Sequence, residues 1–71
     1  MDRETLLRAI DEGPVKVFMN DGTSYEIPDH KSCIVDQTIC YVLQRGEDGR
    51  YRAIWLSLVF MVRVERTTVP A

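Results

Sequence analysis

The chain reads as a mainly β domain, α+β by element count: a short N-terminal helix followed by a bent five-stranded antiparallel sheet that curls into a small open barrel. Three observations carry that expectation. An amphipathic stretch at the N-terminus stops at a Gly13-Pro14 pair. Two Asp-Gly pairs, Asp21-Gly22 and Asp48-Gly49, stand between runs of alternating apolar and polar residues, a strong short-range hairpin signal. The remaining segments are short and β-rich, with turn residues between them. A small sheet cannot bury two apolar faces while flat, so it must bend.

The helix is expected over residues 2–12. Asp2 suits the N-cap and Glu4 favours the positive end of the helix dipole. Leu6, Leu7 and Ile10 recur at helical spacing, Gly13 fits the C′ position, and Pro14 cannot continue the helix. So short a helix does not stand alone. It must dock through Leu6, Leu7 and Ile10, with Phe18 as part of the landing site.

Strands follow at about 15–20 and 23–28. A two-residue loop would set Val17 opposite Glu26 and put a carboxylate on the apolar face. A three-residue loop, Asn20-Asp21-Gly22, sets Val15 opposite Ile27, Val17 opposite Tyr25 and Met19 opposite Thr23. It also brings Lys16 to Glu26 as an ion pair on the outer face. Both faces agree only with the longer loop, built from a type I turn and a left-handed Gly22.

Pro28 ends the second strand. A third runs over 32–44 with a break near 36–37, a fourth over 50–56 and a fifth over 59–65. The register argument repeats: a Glu47-Asp48-Gly49 loop sets Leu43 opposite Ala53, Tyr41 opposite Trp55 and Gln44 opposite Arg52. Phe60, Val62 and Val64 then form one face of the last strand. Residues 1–66 make a single domain, and 67–71 a frayed tail.

Composition narrows the function. The chain has 71 residues and a net charge of −2, acidic in its first half and basic in its second, which gives no global attraction to nucleic acid or anionic membrane. The most apolar run, residues 53–62, is about half a membrane span. No apolar leader core precedes the helix, and two cysteines without one point to reduced thiols in the cytoplasm.

Sites for chemistry are sparse. His30 is the only histidine, and a metal centre needs three or four ligands. Cys33 and Cys40 lie outside Cys-x-x-Cys spacing and read as core thiols. Every glycine falls at a turn or helix end, and none builds a phosphate loop. The expectation is therefore no enzyme, no catalytic residue, no cofactor and no metal.

Two surfaces remain. Arg45, Arg50 and Arg52 with Tyr51 between them form a basic, aromatic-interleaved hairpin that suits nucleic acid, although Glu47 and Asp48 offset part of its charge. Alternation places Ile54, Leu56 and Met61 away from the Trp55 side. One short helix cannot cover them together with Phe18, so they are the expected self-association surface. The favoured reading is an interaction or self-assembling module whose partner is itself, as a homodimer or small oligomer, or another protein.

At Val15-Lys-Val-Phe-Met-Asn-Asp-Gly the chain resembles the first hairpin of Sm-like (Lsm) proteins, which implies an open barrel and RNA binding as an alternative function. Its Arg45-Gly46 pair stands one strand earlier than the basic-Gly pair of that family. Arg8 to Phe18, Asp21-Gly22, Tyr25 to Pro28 and Leu58 to Glu65 resemble a group of small uncharacterised bacterial proteins familiar from planctomycetes. That second resemblance implies fold and soluble character only.

Overall fold

The computed structural model describes residues 1–67 and has one helix and six strands in two antiparallel sheets. Helix α1 spans Arg3–Asp11, capped by Asp2, whose carboxylate accepts from the Thr5 backbone N–H at 2.8 Å and the Thr5 hydroxyl at 2.9 Å. Strands β1 (Val15–Met19) and β2 (Ser24–Ile27) pair with Val15 opposite Ile27 and Val17 opposite Tyr25, the register of the three-residue loop. Asp21 accepts from the Thr23 hydroxyl and backbone N–H, contacts that hold its carboxyl below the usual range. Gly22 sits at φ 91° with open space where a Cβ would project, so only backbone conformation opposes a side chain there. Gly22→Ala is expected to cost roughly 1–2 kcal/mol in urea melts; a neutral result would contradict the turn.

A 3-10 turn at His30–Ser32 leads into β3 (Cys33–Val35), and a tight turn returns the chain as β4 (Ile39–Arg45). The break expected within one long strand is thus a reversal: the Asp36 N–H donates to Ile39 O at 2.8 Å. This is where six strands replace five. β5 (Tyr51–Ser57) pairs with β4 in the expected register, and a second 3-10 turn, Leu58–Phe60, leads into β6 (Met61–Arg66).

The single five-stranded sheet is likewise corrected. One sheet has the order β2-β1-β6 and the other β3-β4-β5. Pro28, which lacks an N–H, and the following 3-10 turn separate β2 from β3. The Leu58–Phe60 turn carries the chain from the second sheet to the first, where β6 pairs with β1.

One core joins both sheets and the helix: Val15, Val17, Met19 and Ile27 meet Val35, Cys40, Val42 and Leu56, with Leu6 and Ile10 from the helix, Leu58 from the crossover turn and Met61 from the start of β6. Among the described residues no polar or charged residue is buried. Arg3 Nε donates to Val35 O at 3.1 Å, and Arg66 donates to Ala9 O and to Glu12, tying the helix to both sheets.

Four local expectations change. Phe18 lies on the outer face of β1 and is no landing site for the helix: Arg63 sits over its ring at 4.1 Å and Lys16 at 5.7 Å. Lys16 therefore caps Phe18 and forms no ion pair with Glu26, although the two are cross-strand partners. In β6, Phe18 pairs with Arg63 while Met19 pairs with Met61, leaving Val62 as the extra residue of a bulge. Met61 and not Val62 therefore points inward. Thr67, expected to fray, donates its N–H to Pro14 O at 3.1 Å; residues 68–71 lie outside the described residues.

Candidate interaction surface

The second sheet has one buried and one open face, and the middle of the open face is apolar. Because β3, β4 and β5 pair in register, Ile34, Tyr41 and Trp55 form a row across all three strands, with Leu43 and Ala53 in the next row. Ile34 is 69% exposed and Trp55 71%, and Leu43 is also exposed. Tyr41 meets Trp55 edge-to-face with ring centroids 5.6 Å apart. A shallow groove of about 250 Å³ runs beside them, its lining including Ile34, Tyr41, Leu43 and Ala53 together with Lys31 and Cys33.

This reverses the expected assignment of faces. Leu56 and Met61, expected on an open surface, are each 4% exposed and belong to the core. Ile54 is half-buried against it. The cause is the first sheet, which covers the side of β4 and β5 bearing Cys40, Val42 and Leu56, an area the helix alone could not cover.

β5 also forms an open edge. The Gly46 N–H donates to Arg50 O at one end of the β4–β5 ladder and the Leu58 N–H to Thr38 O at the other. Antiparallel pairs alternate in hydrogen bonding, so Arg52, Ile54 and Leu56 direct their backbone groups to β4. The backbone N–H and C=O groups of Tyr51, Ala53, Trp55 and Ser57 point the other way, where β5 has no neighbouring strand among the described residues.

The basic hairpin is split by the pleat. Arg45 and Tyr51 are cross-strand partners on the open face, while Arg52 lies on the opposite side and reaches Asp48 at 3.8 Å. Arg50 is in the turn, its N–H bound to the Asp48 carboxylate at 3.0 Å. A separate groove brings Arg45 and Tyr51 together with Lys31, beside Glu26 and Gln44. Lys31 is the residue that sequence reasoning missed, because the 3-10 turn at His30–Ser32 and not sequence proximity brings it there.

His30 is exposed and its Nε2 meets the Asp11 carboxylate at the end of the helix, a partner invisible at that sequence separation. Cys33 is partly buried and Cys40 fully; neither is in a disulfide. Burial pushes the Cys40 thiol up to about 12, and it raises Cys33 with help from the nearby Asp29 carboxylate. Neither environment favours the nucleophilic thiolate. Among the described residues no three His, Cys, Asp or Glu side chains gather to hold a metal ion, and no helix is long and apolar enough to cross a membrane.

No family model, curated protein or solved structure matches this chain.

Proposed function

We propose that this chain is a non-enzymatic, cytoplasmic interaction module that assembles through the open face and free edge of its second sheet. The observation that carries the reading is the coincidence of the two: Trp55, 71% exposed, stands on β5, a seven-residue strand whose outer backbone groups face no strand among the described residues. Exposed apolar surface and an unpaired strand edge both favour association. Small domains also bury a low share of their surface, so added contact area stabilises them. The pairing of first and last strands supports an open Sm-like barrel, and two free thiols support a reducing compartment.

Light scattering on a size-exclusion column tests the reading. The expected result is a mass above that of a single chain, which falls on dilution. A monomer at millimolar concentration would refute it.

A second reading, RNA binding, draws on Lys31, Arg45 and Tyr51, two cations and an aromatic ring that line one groove. Such a site would hold phosphates and stack a base. A mobility shift with single-stranded RNA that weakens steeply with salt, and is lost in Arg45→Ala/Tyr51→Ala, would favour it. Retention of the shift in that variant would remove this groove from consideration.

A further inference from the structure

Resting on the association reading, we infer that the partner is a second copy of this chain, joined by antiparallel pairing of β5 with β5 about a two-fold axis at Ile54. Among the described residues the two sheets present four strand edges, and three carry features that discourage pairing. β2 has four residues and runs into Pro28, and β3 has three. β6 is bulged at Val62 and carries Arg63, Glu65 and Arg66. β5 has seven residues, no proline, no bulge and a single charge, Arg52.

Backbone chemistry restricts the register. Only Tyr51, Ala53, Trp55 and Ser57 offer outward N–H and C=O groups, so these residues must pair with one another across the axis. Centring on Arg52 would set like charges face to face, and centring on Ala53 would leave them diagonal neighbours. Centring on Trp55 would leave Tyr51 and Arg52 without partners. Centring on Ile54 pairs the whole strand, Tyr51 with Ser57 and Ala53 with Trp55 of the second copy, and keeps the two Arg52 side chains well apart.

The side chains agree with that register. On the open face each Trp55 lies opposite the small Ala53 of the other copy, filling the space beside it. On the inner face the two Ile54 side chains meet at the axis, covering the part that the single chain leaves half-buried. The three-stranded sheet becomes six-stranded, with the Ile34, Tyr41 and Trp55 rows continuous across it.

Two variants test the pairing. The Ala53 N–H faces the open edge, so Ala53→Pro removes no bond within the chain but blocks the ladder. Light scattering should show twice the 8.2 kDa chain mass for the native protein and a single mass for Ala53→Pro, with circular dichroism unchanged. The second measurement uses a Cys33→Ser background and copper-phenanthroline oxidation. Ile54→Cys should cross-link to a covalent dimer, because residues at the axis form a non-hydrogen-bonded pair within disulfide reach. Ala53→Cys should not. If Ala53→Pro unfolds, the cross-linking decides. A native monomer at millimolar concentration would overturn the association reading and the pairing together. A native dimer that survives Ala53→Pro in folded form, or cross-links through Ala53→Cys and not Ile54→Cys, would overturn the β5 pairing alone.

Discussion

Leu56→Asp is expected to unfold the domain, whereas Trp55→Asp, one residue away, leaves it folded. Leu56 is 4% exposed and sits opposite Cys40 in the core, while Trp55 is 71% exposed on the other side of the same strand. Truncating a buried leucine to alanine already costs about 2–5 kcal/mol, and an uncompensated buried carboxylate adds several more. A domain of this size has roughly 4–10 kcal/mol in total. Trp55→Asp forfeits its edge-to-face contact with Tyr41 and some strand propensity, together about 1–2 kcal/mol. Circular dichroism with urea titration separates the outcomes. A folded Leu56→Asp would mean that the faces of the second sheet are inverted.

The second large effect is on alkaline stability. Cys40 is fully buried, and its thiol is pushed from 9.0 up to about 12. The folded state therefore keeps a proton that the unfolded chain releases. The stability tied to the neutral thiol is fully present below about pH 9 and is lost as pH rises toward about 12. The slope is at most ~1.4 kcal/mol per pH unit. Cys33 shifts in the same direction, so the comparison is best made with Cys33→Ser. In that background, the unfolding free energy should fall more steeply above pH 9 than it does in Cys33→Ser/Cys40→Ala. Equal slopes would show that Cys40 ionises without hindrance in the native state.

Local chemistry made much of the architecture legible. The Asp2 cap, the Gly13-Pro14 stop and both Asp-Gly loops depend on residues within a few positions of one another. The hairpin registers followed because a one-residue slip would have exchanged faces along a whole strand. The β6 bulge was hidden, since Phe60, Val62 and Val64 alternate without a flaw and only pairing with β1 reveals Val62 as the extra residue. The strand reversal near Asp36 was visible as a break but not as a change of direction.

The interaction surface was legible in kind and misplaced in position. Alternation correctly grouped Tyr41 with Trp55 and Ile54 with Leu56, but both groups are apolar, and periodicity identifies which side chains share a face without saying which face is inward. An available signal was the near absence of charge over Tyr51–Ser57, which marks an unguarded edge. The basic hairpin was separated by the pleat, and Lys31 joined Arg45 and Tyr51 only through the fold.

The helix and the two Asp-Gly hairpins with their registers were thus settled by the amino-acid order alone, because each rests on neighbouring residues: caps, left-handed glycines and matched cross-strand faces. Which face of the second sheet became core was decided only when the Leu58–Phe60 turn carried β6 back to β1 and laid one sheet over the other. Burying apolar area is non-directional. With oil on both sides of β4 and β5, the placement of the first sheet made Leu56 core and left Trp55 in the open.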